Sequence, residues 1–278
     1  MSLSMPLREM IARYDTFFID QFGTLRDAAS PYPGAVEALL ALRAAGKTVV
    51  ILSNSGKSGA DNALRLQRIG FPPESFSHFV TSGDVAVDLL ERGELDLSLS
   101  SRTRCFTISN GGDSNLADRL GLSIAEHPQE ADLLVISGSQ ADEVGMEAYG
   151  EMLRPAAERG LPAICTNPDI QMITPGGLAP AAGSIARLYE KMGGRVSWIG
   201  KPHRDIYEFA YRLSGFPNKA RTVGIGDSLD HDIAGANGFG IAAILLRKGV
   251  SARADEKDLR AEAMRAGLRL QAIIDDLA

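Results

Sequence analysis

Short apolar segments alternate with longer amphipathic segments along almost the whole chain. Short apolar runs rich in β-branched and aromatic side chains are typical of buried strands, and apolar residues spaced three and four apart are typical of helices. Their alternation indicates a parallel sheet covered by helices, so the sequence predicts an α/β fold. In the first third of the chain the pattern predicts strands at 17–19, 48–52 and 79–80, and helices at 33–45, 61–68 and 84–91.

A polar stretch at 94–104 and a Pro/Gly-rich passage at 174–183 interrupt this pattern. Exposed polar and Pro/Gly-rich segments are typical of domain boundaries. We therefore predict a smaller α/β domain at 95–172, inserted into a Rossmann-like parallel-sheet core formed by residues 1–94 and 173–278; one continuous sheet is the alternative. The remaining predicted strands are 105–108, 133–136 and 162–165 in the insertion and 196–199, 222–225 and 242–246 in the core, with core helices at 184–192 and 206–213.

Composition narrows the classes of protein that fit this pattern. The chain has 278 residues, 45% of them hydrophobic, so it has enough apolar side chains for a core and does not read as disordered. A formal net charge of −6 without a cluster of basic residues argues against a nucleic-acid partner. Cys105 and Cys165 lie in apolar runs without metal-ligand spacing, which predicts buried thiols. Without a targeting segment or a long apolar run, we expect no membrane association and a cytoplasmic location.

Four polar segments directly follow predicted strands. In an open parallel α/β sheet the carboxyl ends of the strands form the edge where ligands bind. Taken singly, each segment also fits a helix cap, a turn or a solvated acidic stretch. The four segments place Asp20 after 17–19, Ser53 and Asn54 after 48–52, Lys201 after 196–199, and Asp227 and Asp232 after 222–225.

In order and spacing, these segments resemble the haloacid dehalogenase superfamily of aspartate-nucleophile hydrolases. The closer resemblance is to its class IIA branch, which includes nucleotide-, sugar-phosphate and pyridoxal-phosphate phosphatases. Asp20 precedes Ser53 by 33 positions, and Ser53 precedes Lys201 by 148 positions. That branch carries an α/β cap in the long gap, where the inserted domain is predicted here. Further matches are Asn167-Pro168-Asp169, Gly183-Ser184-Ile185, Gly200-Lys201-Pro202 and Gly226-Asp227-Ser228.

The resemblance implies a Mg²⁺-dependent phosphohydrolase that acts on a small phosphorylated metabolite, such as a sugar phosphate. Asp20 would be the nucleophile and form an aspartyl-phosphate, while Ser53 and Lys201 would hold the phosphoryl group and neutralise its charge. It implies a metal site made by Asp20, the main-chain carbonyl of Phe22, Asp227 and Asp232, and further substrate contacts from Asn54, Asn167 and Asp169. Class IIA relatives are often homo-oligomers through the cap, but no apolar stripe identifies an interface in this chain.

Phe22 departs from the family pattern. Phosphatases of the superfamily carry a second aspartate two residues after the nucleophile, which protonates the leaving alcohol and then activates water. Phenylalanine can do neither, and general acid–base catalysis typically contributes about 10²–10⁴-fold. Asp169, Asp27 or a substrate with a good leaving group could compensate, and the sequence does not choose among them.

Two other functions compete with a phosphatase at this stage. A catalytically impaired member could bind a phosphorylated metabolite without turning it over. Haloacid dehalogenases also have an aromatic residue at the position of Phe22 and need no metal, because halide leaves unprotonated. Phosphonate hydrolases use a lysine of the cap, and residues 95–172 contain none, which argues against that class.

Overall fold

The computed structural model describes residues 5–174 and 176–277. Residues 1–4, part of the terminus predicted to hold no targeting segment, lie outside the described residues. So does Pro175, part of the passage predicted as a domain boundary. Within the described residues, no helix is both long and apolar enough to cross a membrane.

Helices and strands alternate through the described part of the chain, as the hydrophobic pattern predicts. The helices are α1 (Leu7–Arg13), α2 (Ala35–Ala44), α3 (Gly59–Arg68), α4 (Ser82–Glu91), α5 (Leu116–Arg119), α6 (Met146–Glu158), α7 (Ala182–Lys191), α8 (Arg204–Leu213), α9 (Ala234–Phe239) and α10 (Glu256–Arg265). The strands are β1 (Thr16–Asp20), β2 (Thr48–Ser53), β3 (His78–Thr81), β4 (Arg104–Ile108), β5 (Ser123–Ile124), β6 (Leu133–Ile136), β7 (Pro162–Cys165), β8 (Gln171–Thr174), β9 (Gly177–Pro180), β10 (Arg195–Trp198), β11 (Thr222–Gly226), β12 (Ala242–Leu246) and β13 (Ala272–Ile274).

The chain divides into two compact units. The first takes in the described residues up to Ser53, Gly59–Val80 and those from Lys201 onward. Its sheet has the strand order β13-β12-β11-β1-β2-β3, with β1 paired in parallel to β11 and β2. Every residue of β1 is buried, which explains why this strand is apolar on both faces. Phe17 and Ile19 pack in a core with Leu39 and Leu66, and burying each such side chain contributes about 1.5–3 kcal/mol.

The second unit comprises Asn54–Ser58 and Thr81–Gly200. Its five-stranded sheet has the order β10-β7-β6-β4-β5, and its paired strands run parallel. An antiparallel hairpin is formed by β8 and β9. Helices α6 and α7 bury Leu153, Ile185 and Tyr189 in the core of this unit together with Leu134 and Ile136. The fold class is therefore α/β with parallel sheets, which confirms the prediction.

The second unit extends beyond the predicted 95–172 insertion. The strand predicted at 196–199 forms as β10, but it pairs with β7 of the second sheet and not with the core sheet. Val196 and Trp198 pack against the second hydrophobic core, which explains this pairing. The apolar pattern indicated a strand here but did not reveal which sheet it joins.

Among the described residues, four strands lie where the sequence pattern gave none: β5, β8, β9 and β13. The Pro/Gly-rich passage at 174–183 begins at the last residue of β8 and contains β9, and the short β13 closes one edge of the first sheet. The two cysteines are free and buried, as predicted. Burial raises the pKa of Cys105 to about 11 and that of Cys165 to about 12, so both are thiols at neutral pH.

Candidate active site

Four charged side chains meet at the carboxyl edge of the first sheet. Asp20 ends β1, Asp227 follows the adjacent strand β11, Asp232 lies in the π-helical turn Leu229–Ile233, and Lys201 precedes α8. The Lys201 Nζ donates hydrogen bonds to Asp20 Oδ1 and, at 2.7 Å, to Asp232 Oδ1. The side chains of Lys201, Asp20 and Asp232 are only 4%, 9% and 7% exposed. Carboxylate oxygens of the three aspartates lie within 4.8 Å of one another.

Backbone geometry from two distant loops fixes Asp227. Gly23 has a φ of +81°, and a Cβ at this position would collide with the Asp227 carboxylate. Glycine is therefore required both by the left-handed backbone and by the close approach of the carboxylate. In the loop after β12, the Val250 N–H donates to Asp227 Oδ2 at 2.7 Å, and the Ser251 Oγ donates to the Asp227 carbonyl at 2.5 Å.

Asp232 is held at both its carboxylate and its main chain. The Ser228 N–H donates to Asp232 Oδ2 at 3.1 Å, and the Tyr207 hydroxyl donates to the Asp232 carbonyl at 3.2 Å. A Cβ at Gly226 would collide with the Asp232 side chain. The glycine at the end of β11 thus leaves the space into which this carboxylate packs.

The electrostatics of the cluster favour a bound cation. Burial raises the pKa of Asp227 to about 8, and the neighbouring carboxylates of Asp20 and Asp232 add to that effect. Burial lowers the pKa of Lys201, but the carboxylates of Asp20 and Asp232 outweigh it and hold this pKa well above its usual range. One ammonium therefore faces three carboxyl groups, and the raised pKa of Asp227 reflects the cost of placing a third negative charge in this desolvated site, a cost that a bound cation would remove. Clustered carboxylate oxygens are the donors that Mg²⁺ and Ca²⁺ prefer, so these residues fit a divalent metal.

Ser53 lies at the same sheet edge as the charged cluster. It ends β2, which pairs with β1 so that Leu52 stands opposite Asp20. The Ser53 Oγ donates to the Gln21 Oε1 at 3.1 Å, and both residues are buried. The family resemblance predicts that this hydroxyl binds a phosphoryl oxygen.

The aromatic ring of Phe22, two residues after the end of β1, is open to solvent. The residue is 53% exposed, and the Arg26 guanidinium carbon lies 4.6 Å from the ring centroid. Arg26 is itself anchored, because it donates to the carbonyls of Asp27 and Ala28, each at 2.7 Å. The Phe22 ring therefore packs against an Arg26 guanidinium that is held in place by hydrogen bonds.

Asp27 is fixed by the turn that follows. Its Oδ1 accepts hydrogen bonds from the N–H groups of Ala29 and Ser30, each at 2.8 Å. The hydrogen bonds from Ser30 and Ala29 lower the pKa of Asp27. This carboxylate is therefore ionised at neutral pH and serves the local turn.

The structure brings the other three predicted substrate-binding residues together within the second unit. The Asn54 Nδ2 donates to Asp169 Oδ1 at 2.8 Å, and the Asp169 N–H donates to Asn167 Oδ1 at 3.2 Å. The first unit thus assembles Asp20, Ser53, Lys201, Asp227 and Asp232, and the second unit assembles Asn54, Asn167 and Asp169.

Several residues at the charged cluster were absent from the sequence prediction. Gln21 binds Ser53, Tyr207 binds Asp232, and Val250 and Ser251 bind Asp227. Val250 and Ser251 carry a signal that could have been used, because they follow β12 at the carboxyl edge of the sheet. Tyr207 carries none, since a tyrosine within an amphipathic helix is typical of core packing.

Comparison with known protein families gives two matches along the chain. The family described as haloacid dehalogenase-like hydrolase matches residues 17–123, and the family described as HAD-hydrolase-like matches residues 198–278. A haloacid dehalogenase-like hydrolase from Brucella suis 1330 has a similar crystal structure, with a TM-score of 0.82 and 31% identity over 98% of this chain and 99% of that chain.

Two further relatives are phosphatases by name. Glycerol-3-phosphate phosphatase from Homo sapiens is 28% identical over 273 residues, which cover 90% of this chain and 84% of that protein. The structure of glycerol phosphate phosphatase from Mycobacterium tuberculosis, in complex with calcium, is 26% identical with a TM-score of 0.66 and covers 87% of this chain and 68% of that chain.

Proposed function

This chain belongs to the haloacid dehalogenase-like hydrolases, in the class IIA phosphatase branch that its motifs resemble, and on that premise we propose that it is a Mg²⁺-dependent phosphatase of small phosphorylated metabolites. The observation that carries this proposal is the buried cluster in which Lys201 binds both Asp20 and Asp232 beside Asp227. Phosphatase relatives such as the human glycerol-3-phosphate phosphatase support the reaction class.

The donor set supports a divalent metal in this cluster. Three carboxylates whose oxygens lie within 4.8 Å of one another would hold it, with the Phe22 carbonyl as the predicted fourth ligand. When bound, Mg²⁺ supplies Lewis-acid stabilisation of negative charge on the phosphoryl oxygens. The calcium complex of the mycobacterial relative is in keeping with a divalent cation in such a site. This donor set also disfavours the metal-independent dehalogenase, which needs no metal site.

In the proposed reaction, an Asp20 oxygen bonds to phosphorus to form an aspartyl-phosphate, while the bond from phosphorus to the ester oxygen breaks and the alcohol part leaves. Lys201 donates to Asp20 and Asp232, so it holds the nucleophile in place and offsets the negative charge that accumulates at the phosphoryl group. The Ser53 hydroxyl, which donates to Gln21 in the structure, can turn its proton to a phosphoryl oxygen. Water then hydrolyses the aspartyl-phosphate and regenerates Asp20.

The role of the second unit in substrate binding stays a prediction. The structure joins Asn54, Asn167 and Asp169 by hydrogen bonds to one another. Their amide and carboxylate groups are suited to binding hydroxyl groups of a metabolite. If they do so, substitution of Asn167 by alanine should raise the KM and leave kcat unchanged.

Hydrolysis of 4-nitrophenyl phosphate, with Mg²⁺ and with EDTA, tests the proposed function. We expect metal-dependent release of nitrophenol and a loss of at least about 10⁴-fold in kcat for Asp20→Asn, because the amide is not a nucleophile. Asp15→Asn is the matched control, since Asp15 is exposed and lies at the opposite end of β1.

Three results would contradict this proposal. Turnover that survives in Asp20→Asn would remove Asp20 as the nucleophile. Binding of phosphate esters without any hydrolysis would identify a metabolite-binding protein. Release of chloride from a 2-chloro acid in EDTA would identify a dehalogenase.

A further inference from the structure

We propose that Phe22 restricts this enzyme to phosphate esters of acidic hydroxyl groups, such as phenols and enols, and that its ring packs against the leaving group. The inference rests on the proposed phosphatase function and narrows its substrate class. It places the alkyl phosphates of glycerol and sugars among the poor substrates of this chain.

The position of Phe22 in the cluster is the first observation. Its neighbour Gln21 binds the Ser53 hydroxyl, and its other neighbour Gly23 packs against the Asp227 carboxylate. The backbone at position 22 is therefore fixed between the hydroxyl and the metal-binding carboxylate. A side chain at this position stands two residues after the nucleophile, and in this chain it carries no proton to donate.

The nearest acidic alternative on the same loop is also unable to donate a proton. Asp27 accepts two backbone hydrogen bonds from Ala29 and Ser30. Both bonds favour the ionised carboxylate, and the pKa of Asp27 is lowered accordingly. Asp27 is therefore an ionised acceptor that has no proton to donate while the ester bond breaks.

The chemistry of the first step then selects the substrate. A bond forms between an Asp20 oxygen and phosphorus, and the bond between phosphorus and the ester oxygen breaks. The electron pair stays on the leaving oxygen, which departs as an anion. In the second step the oxygen of a water molecule bonds to phosphorus, the Asp20 carboxylate is released, and the proton that water loses reaches the departed anion through solvent.

The stability of this anion decides the rate of the first step. A phenol has a pKa of about 10, and an alcohol is a far weaker acid. Phenolate and enolate can therefore leave without a proton, whereas alkoxide needs one.

The exposed ring supplies the second part of the selection. Phe22 is 53% exposed, and Arg26 is stacked on it at 4.6 Å and anchored by two carbonyls. An aromatic leaving group can pack on the open part of this ring in an offset or edge-to-face arrangement, which is worth up to about tenfold in KM. The same residue thus withholds a proton and offers a surface to the leaving groups that need none.

The experiment compares kcat/KM for 4-nitrophenyl phosphate, phenyl phosphate and glycerol 3-phosphate, because kcat/KM reports the step in which the ester bond breaks. For the unmodified enzyme we expect a steep fall along this series of increasingly basic leaving groups. Phe22→Asp should raise kcat/KM for glycerol 3-phosphate by about 10²-fold or more and change that for 4-nitrophenyl phosphate by less than about tenfold.

Phe22→Asn is the matched control, because it has the size of the aspartate without its proton. We expect no gain on glycerol 3-phosphate and an increase of up to about tenfold in KM for both aryl phosphates, since the ring is lost. The exposure of Phe22 makes both variants compatible with folding. The substrate series on the unmodified enzyme tests the inference without any variant.

Equal kcat/KM values for glycerol 3-phosphate and 4-nitrophenyl phosphate would overturn the inference and leave the phosphatase intact. A flat series that becomes steep in Asp169→Asn would overturn it too, by identifying Asp169 as the acid. The absence of metal-dependent hydrolysis for all three esters would instead refute the proposed function.

Discussion

Each end of the first sheet carries an aspartate paired with a lysine, but the aspartate is exposed at the amino end and buried at the carboxyl end. At the amino end, Asp15 pairs with Lys47 and Arg221, which directly precede β2 and β11. At the carboxyl end, Asp20 pairs with Lys201. The Asp15 side chain is 52% exposed, whereas that of Asp20 is 9% exposed.

The difference lies in solvation and in the ratio of charges. Around Asp15, two cations face one carboxylate, and water screens them, so such pairs contribute little to stability. Around Lys201, one cation faces three carboxyl groups in a site from which water is largely excluded. Desolvation makes these interactions strong, and we expect the clustered carboxyl groups to favour a bound divalent cation at the carboxyl end.

Removing the buried lysine should produce the largest difference between the two ends. Lys201→Met leaves three buried carboxylates without their cation, so we expect the metal-free protein to lose about 3–5 kcal/mol of unfolding free energy. We also expect kcat to fall by about 10²–10³-fold. Urea denaturation and hydrolysis of 4-nitrophenyl phosphate measure the two effects.

Lys47→Met is the matched control at the amino end. It should leave kcat unchanged and cost less than about 1 kcal/mol, because this pair is partly exposed. Equal losses of stability in the two variants would show that burial does not distinguish the two ends.

The second largest difference between the two ends of the sheet should be in the stabilisation that metal binding provides. At a Mg²⁺ concentration 100 times its dissociation constant, we expect about 2.7 kcal/mol of stabilisation. Asp227→Asn should lose most of this gain because it removes one of the three carboxylates. Asp15→Asn should keep it, and denaturation with and without Mg²⁺ provides the measurement. A full Mg²⁺ effect in Asp227→Asn would place the metal elsewhere.

The pH dependence of the amino end should be the smallest effect. Hydrogen bonds from Arg221 and then Lys47 lower the pKa of Asp15 below its usual value. A lowered carboxyl pKa stabilises the fold above the unfolded pKa of about 4, and this contribution disappears as the pH falls further. Asp15→Asn should therefore cost less than about 1 kcal/mol at neutral pH and nothing in strong acid. A cost that grows as the pH falls, measured by urea denaturation, would contradict this interpretation.

The features predicted best from the sequence are individual strands and the polar residues at their carboxyl ends. In β1 and β11 an apolar run stops at a carboxylate, and the parallel topology brings Asp20 and Asp227 to one edge. The partners of Asp227 could not be predicted in this way. Val250 and Ser251 lie more than 20 residues further along, and only the packing of the loop after β12 brings them to the carboxylate.

The hydrophobic pattern also did not show which sheet a strand joins. The segment Arg195–Trp198 is a strand by composition, yet its pairing with β7 depends on contacts that hydrophobic periodicity does not encode. In contrast, the phenylalanine at position 22 was visible in the sequence, and the structure adds its exposure and its contact with Arg26.

Because β1 lies inside the first sheet, one of its edges stays unpaired while much of the chain is still being synthesised. One edge of β1 pairs with β2, which follows closely, but the other pairs with β11, which begins at Thr222. At about 5–20 residues per second, a ribosome needs roughly 10–40 s to reach Thr222 after Asp20. During that interval the apolar strand Thr16–Asp20 has an open edge, which is the kind of surface that templates aggregation. Slower translation upstream of Thr222 should therefore increase the demand of this protein for chaperones.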